Sequence, residues 1–492
     1  MMILFSDNHN FKKQNFPALF KTLDNNSILY EFDQSNTELK SSWGRYSTSN
    51  NQEHSIHDYS DLINEQSFGI HLYPIYKFEL LFICASDEEW IALGEHCEKA
   101  TIRFFMTKYP EKLNQLRFIS KFWLEHWRDC FSTKKPTIGI SFGGNTIYTR
   151  AFCEIAKINQ IPSFITEHFF TGTDFYFEKR YESITNNSLL KSKSYTKRKL
   201  AQQANHIHSI QKLSLAKNKN VIQPSYQSFH KKDYCLVIAQ VSNDFAILSD
   251  RNKYKNSIQF YIDFINKFLT STKRNIVIKT HPYEKRKNSE GRAITFEILH
   301  NFIGNLPQEQ QERISLVEDY SIHGLIDNCK YAITLNSQSA FDVVARGKPI
   351  ACFGNPFYGH HGFTYDFDTI DAFFKEQPIA LTTDQLTLFW EYMSVCFSHL
   401  IGESDSIKIQ TLLDIHKIPK NKTSHNQISR ANSKEPSIAS DKNQITRNKP
   451  SANISPYGAV SKRKLRKLIK NPKAFFLDSK SNLLNKIGQL IK

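Results

Sequence analysis

Two short stretches of this 492-residue chain combine residue types and spacing that suit chemistry. Residues 275–282 read Asn-Ile-Val-Ile-Lys-Thr-His-Pro. Ile276 to Ile278 predict a short buried strand, and Pro282 cannot continue a central strand, so the chain turns there. Lys279 and His281 are thereby left at one sheet edge. Residues 331–353 begin with an apolar run, Tyr331 to Leu335, that stops at Asn336-Ser337-Gln338-Ser339. A helical pattern follows, with Ala340, Phe341, Val344 and Ala345 on one face, and Gly347-Lys348-Pro349 ends it before the run Ile350 to Phe353. Such a strand–loop–helix–strand unit belongs to a parallel sheet, where ligands bind beyond the carboxyl ends of the strands. Hydroxyls and open amides at a helix start suit a phosphate. A histidine beside it can donate to that phosphate, since its pKa range permits proton transfer near neutrality. The plainer readings are helix capping by Ser337 or Ser339 and a simple turn at His281-Pro282.

The elements that must position these residues are legible in outline. Strands are predicted at 3–5, 27–32, 137–141 and 163–166, with a helical region over 87–131. Gly143-Gly144-Asn145 marks a strand-to-helix turn able to approach an acceptor or a phosphate, or to be only a turn. Residues 176–218 are basic and polar and read as a loop and connecting helix. Further strands are predicted at 234–239, 276–279, 314–317, 331–335 and 350–353. The alternation of strands and helices predicts an α/β fold with two Rossmann-like domains, an N-terminal one over 1–215 and a nucleotide-binding one over 216–415. No Gly-x-Gly-x-x-Gly is present.

Four blocks, spanning about residues 135–370, resemble the capsule polysaccharide biosynthesis family of bacterial glycosyltransferases, which includes β-Kdo transferases. The first is 163–188, with Glu167 after a strand, then Asp174, Glu178 and Asn187-Ser188. The second is 236–244, Leu-Val-Ile-Ala-Gln-Val-Ser-Asn-Asp, with Gln240 and Asp244. The third is Lys279 to Pro282. The fourth runs from Asn336 through Gly347-Lys348-Pro349 to Gly354-Asn355-Pro356-Phe357-Tyr358 and Gly362-Phe363-Thr364. One departure is His168, where the family carries glycine after the glutamate.

The resemblance implies a GT-B architecture, two Rossmann-like domains facing a cleft, and a CMP-activated acidic sugar of the Kdo type as donor. On that reading Glu167 and His281 are the catalytic candidates. Glu167 would be the base for an acceptor hydroxyl or would stabilise an oxocarbenium-like centre. Lys279, Pro282, Asn336, Ser337, Ser339, Gln240, Asp244 and Tyr358 would bind the donor, with Tyr358 and Thr364 on a loop closing over it. His360-His361 are adjacent in sequence, which is poor geometry for joint ligation on a regular element, so transfer without a metal or other cofactor is expected.

Charge and cysteine content bound the remainder. Of the net charge of +16, +15 lies in residues 416–492, which hold 18 Lys and Arg against three acids, so the body is near neutral. Residues 416–459 are rich in Asn, Ser and Lys and predict a disordered linker. Residues 460–492 predict basic amphipathic helices, with Leu465, Leu468, Phe475, Phe476, Leu483, Leu484 and Ile487 as the apolar set. A tail of this kind suits an anionic membrane surface, worth about 1 kcal/mol per Lys or Arg. Nucleic acid is not expected as a partner, because the tail's aromatics are too clustered for base stacking.

Eight cysteines without a Cys-x-x-Cys pair predict a reducing compartment. The N-terminus lacks a signal-peptide pattern and no run approaches the ~20 apolar residues of a membrane span. The expectation is a cytoplasmic enzyme, peripheral on the inner membrane, acting on a nucleotide sugar and a lipid-linked or oligosaccharide acceptor. Two other classes stay open: a CDP-glycerol-type phosphotransferase, and a non-enzymatic RNA-binding or scaffold protein acting through its tail.

Overall fold

The computed structural model describes residues 1–34, 40, 46, 58–93, 96–169, 171, 174–201, 224–249, 254–287, 291–401 and 409. The linker and basic tail expected from the sequence lie outside these residues. Both main sheets belong to one unit, Met1–Gln410.

The first sheet has the order β14-β7-β6-β5-β1-β2. Its strands are β1 (Met2–Phe5), β2 (Leu29–Phe32), β5 (Ile138–Phe142), β6 (Ser163–His168), β7 (Phe175–Lys179) and β14 (Leu400–Ile401). Strands β2, β1, β5 and β6 are parallel, whereas β7 runs antiparallel to β6 and β14 antiparallel to β7. A hairpin of β3 (Gln66–Ser67) and β4 (Ile70–His71) stands apart. The second sheet is wholly parallel, in the order β10-β9-β8-β11-β12-β13. It comprises β8 (Tyr234–Ile238), β9 (Ile276–Lys279), β10 (Ile314–Val317), β11 (Cys329–Thr334), β12 (Ile350–Cys352) and β13 (Tyr365–Asp366). Two mainly parallel sheets with helices packed on them make this an α/β fold.

Apolar sequence explains the second sheet directly. Every residue of β8 and β9 is buried, as expected where helices cover both faces of a parallel sheet. On one face the helix Ser257–Ser271 inserts Phe260, Phe264 and Phe268, spaced one helical turn apart. On the other face Leu236, Ile238 and Val277 join the larger core. In the first half the helix Pro110–Lys134 starts with proline at its first position and ends at Lys135 in the left-handed region. It buries Trp123 and Trp127. The Trp127 indole N–H donates to the Tyr148 carbonyl at 2.8 Å, and its ring meets Phe152 edge-on.

Two expectations are corrected. The helical region over 87–131 is three helices, Glu88–Ile91, Glu98–Lys108 and Pro110–Lys134, because Tyr109-Pro110 interrupts the ladder. The stretch 176–218 contains most of β7, whose Phe-Tyr-Phe-Glu-Lys run is hidden by basic neighbours and decided by pairing with β6. After the second sheet the helix Thr383–Ser398 carries the chain back to the first, where β14 pairs β7.

The order of connection fixes where a site can form. In the second sheet the chain steps from β8 to β9 to β10, then returns to the other side of β8 with β11. The reversal falls between β8 and β11, and in open parallel sheets the crevice where ligands bind lies beyond the carboxyl ends of the strands at such a point. In the first sheet the equivalent reversal lies between β1 and β5.

Candidate active site

The loops that follow β8 and β11 meet at the reversal. Gln240, just past β8, accepts the Asn336 backbone N–H through Oε1 at 2.6 Å, and its own backbone N–H donates to the Tyr261 hydroxyl at 2.8 Å. Both Gln240 and Asn336 are buried. Asp244 caps the short helix Phe245–Leu248 by accepting from the Ala246 N–H at 3.0 Å. The Asn336 amide donates to the Ala246 carbonyl at 3.0 Å. A buried donor left without its acceptor costs roughly 1–3 kcal/mol, so these bonds hold both loops in one register.

Ser337 and Ser339 lie on the rim of this crevice. The Ser337 hydroxyl accepts the Ser339 N–H at 3.3 Å. Ser339 stands at the start of the helix Ala340–Ala345, yet its hydroxyl makes no capping bond. The capping reading therefore fails for Ser339.

His281 follows β9, the neighbour of β8. Its Nδ1 accepts the Tyr283 N–H at 3.1 Å, which Pro282 brings back by turning the chain. A neutral ring with an accepting Nδ1 carries its proton on Nε2. Burial, with Lys287 and Lys279 adding to it against Asp244, lowers the His281 pKa to about 4. The expected proton-donor role thus becomes that of a neutral hydrogen-bond donor at neutral pH.

Lys279 is corrected more fully. Its ammonium donates to the Thr280 and Glu318 carbonyls and is buried, and burial draws its pKa down to about 8. It joins the ends of β9 and β10 instead of reaching toward a donor. Sequence reasoning missed Glu284, three residues past His281. It is buried, accepts from the Ser242 N–H at 3.1 Å and the Thr295 hydroxyl at 2.7 Å, and so ties the β8 loop to the β9 loop. The signal was there: one acid immediately before Lys285-Arg286-Lys287.

Glu167 lies near the end of β6 in the other sheet. Its carboxylate accepts the Ile184 N–H at 2.8 Å and the Thr185 N–H at 3.1 Å. Burial pushes its pKa up to about 8, against the pull of those two N–H groups and Arg180. The segment it holds continues to Asn186, whose amide also donates to the Ala246 carbonyl. Ala246 therefore receives Asn186 from the first half and Asn336 from the second. Through these bonds Glu167 is tied to the crevice at β8 and β11. Gly143 and Gly144, at φ +79° and +93°, bring the turn after β5 against Ser183 in the same segment.

Other expected residues serve the framework. Tyr358 is fully buried and its hydroxyl donates to the Ser337 carbonyl, so it supports the serine loop from beneath and does not close over a donor. Thr364 is buried and donates to Asp366 at 2.8 Å. Asp174 accepts from Thr171 at 3.0 Å. Glu178 is buried against Ser188, the Leu189 N–H and Arg180, with burial raising its pKa.

The chain shows these likenesses to known proteins. Residues 154–393, which contain β6 to β13 and every crevice residue above except those of the Gly143-Gly144 turn, match the family described as capsule polysaccharide biosynthesis protein. The likeness to that family is carried by this region. Among solved structures it is similar to the β-Kdo 2,4 transferase KpsC of Thermosulfurimonas dismutans, at 16% identity and a TM-score of 0.33, covering 52% of this chain and 79% of that one. It is also similar to the UDP-GlcNAc 2-epimerase of Methanocaldococcus jannaschii solved with UDP-GlcNAc and UDP. There the identity is 11% and the TM-score 0.27, covering 84% and 98% of the two chains. The glycosyltransferase SnogD of Streptomyces nogalater gives 8%, 0.28, 84% and 98% in the same order. No curated protein matches the sequence.

Proposed function

We propose that this protein is a glycosyltransferase of capsule polysaccharide biosynthesis that transfers a Kdo-like acidic sugar from a CMP-linked donor. The observation that carries the reading is the crevice at the reversal of the second sheet. There the buried pair Gln240 and Asn336 fixes two loops, with Ser337 and Ser339 on the rim and the His281 ring one strand away. The nucleotide phosphate sits over the Ser337–Ser339 loop, and the neutral His281 Nε2–H donates to an oxygen of the leaving phosphate. Glu167, with a pKa near the working pH, takes the proton from the acceptor hydroxyl. The four motif blocks support a CMP-linked donor. Residues 460–492 hold the enzyme at an anionic membrane surface, where a lipid-linked acceptor is presented.

Thermal shift with CMP, CDP, UDP and GDP tests the nucleotide, since a ligand that binds only the folded state raises its stability. CMP should give the largest shift. Transfer from CMP-Kdo but not CDP-glycerol should follow, and His281→Ala should lower kcat/KM at least about tenfold, equivalent to ~1.4 kcal/mol. A larger shift with UDP, or turnover of CDP-glycerol alone, would remove the CMP-sugar reading.

A further inference from the structure

Three side chains with metal-binding atoms meet at the outer edge of the first sheet, away from the crevice. Asp33 follows β2, the edge strand, and is 5% exposed. Its backbone N–H donates to the Phe5 carbonyl at 3.2 Å, which extends the pairing with β1 by one residue. His126 and Cys130 are four residues apart on the helix Pro110–Lys134, so they share one face. His126 Nε2 lies 2.9 Å from Asp33 Oδ1, and Cys130 Sγ lies 3.4 Å from the same nitrogen. The three donor atoms all lie within 4.8 Å of one another.

A cysteine, histidine and aspartate can also form a nucleophile relay. That arrangement needs the imidazole as a bridge, with the thiol at one ring nitrogen and the carboxylate at the other. Here both groups approach Nε2, so a relay is not built. A single proton on Nε2 cannot serve sulfur and oxygen equally well. A cation at the centre of the three atoms satisfies all of them.

The geometry points to a site for a divalent cation of the zinc class, held by Asp33 Oδ1, His126 Nε2 and Cys130 Sγ. The mixed S, N and O donors select such a cation over magnesium or calcium, which take oxygen ligands. The surroundings fit. The Lys40 ammonium pairs with Asp33 Oδ2 at 2.7 Å and leaves Oδ1 turned to the histidine. Phe122 stacks on the imidazole at 6.1 Å, and Trp123 and Trp127 meet it edge-on at 5.1 and 5.0 Å, so the ring is held in place. Strand β2 is separated from β6, which carries Glu167, by β1 and β5. The cation would clamp the edge strand to the helix and take no part in transfer.

The test uses the full chain, purified without chelator, stripped, loaded with zinc or cobalt and desalted. Elemental analysis should find one zinc per chain. The cobalt form should show a thiolate-to-cobalt charge-transfer band. Cys130→Ser should abolish that band and weaken zinc at least tenfold, and the isosteric Asp33→Asn should weaken zinc while keeping the band. Cys97→Ser, at an exposed cysteine that precedes the helix Glu98–Lys108, should change neither. A wild-type chain that retains no metal, or a band that survives Cys130→Ser, would overturn the proposal. Should Cys130→Ser fail to fold, Asp33→Asn with unweakened zinc overturns it equally.

Discussion

At the residue scale, Glu167 carries two duties that a single substitution can separate. It anchors the Ile184–Thr185 backbone, and in the proposed reaction it receives a proton. Its folded pKa of about 8 lies above the ordinary 4.5. Between those values the folded protein holds a proton that the unfolded chain has released, so the contribution of this group to stability falls as pH rises from about 4.5 to 8. Glu167→Gln removes the titration and keeps an acceptor for Ile184. Urea unfolding from pH 5 to pH 8 should therefore show the variant gaining stability relative to the parent as pH rises. CMP binding should persist while turnover collapses. Equal pH slopes for the two proteins would mean that the carboxyl is already ionised at neutral pH. Unchanged turnover would mean that another group takes the proton.

At the element scale, the crevice depends on loops from separate strands lying at fixed depth. The loop after β12 shows how little room there is. A Cβ built on Gly354 would lie 2.0 Å from Asn336 Oδ1 and 2.8 Å from the Leu335 carbonyl oxygen. Gly354→Ala must push Asn336 off its bonds to Gln240 and Ala246 or shift the loop after β12. Overpacking of this kind costs about 1–3 kcal/mol. Chemical denaturation should show that loss, and the thermal shift with CMP should shrink in parallel. If stability falls but the nucleotide shift is kept, Asn336 is a strut and not part of the nucleotide site. Pattern reasoning found the strands β8, β9, β11 and β12 because continuous apolar runs end at polar clusters. It missed β7 because five residues among lysines and arginines carry too weak a period. It also misjudged Tyr358, since a tyrosine in a glycine-rich loop reads the same whether its ring faces solvent or core.

At the scale of the whole molecule, charge is segregated. The body is near neutral and +15 of the +16 lies in residues 416–492. If the tail is the membrane anchor, truncation after residue 420 should leave a folded enzyme that acts on a short soluble acceptor. Sedimentation with anionic vesicles should fall sharply. For the intact chain it should weaken as salt rises, because charges are screened over about 10 Å at 0.1 M. A truncated chain that still pellets with anionic lipid would place the contact in the body. An intact chain that ignores lipid and binds RNA would favour the scaffold reading.

The sequence alone determined which segments must be buried and where they must stop. Local periodicity, proline and glycine are short-range signals, and they placed most strands of both sheets and the polar ends that line the crevice. It also carried the motif blocks of the family. Strand order is a long-range property, so only the tertiary structure decided that β8 and β11 are neighbours and that Gln240 and Asn336, 96 positions apart, are bonded. Side-chain fate was decided there too. Lys279 is spent on carbonyls, Tyr358 lies beneath the serine loop, and Asp33 comes to His126 across 93 positions. Each of these depends on which surfaces the folded chain brings together, and no spacing along the sequence encodes that.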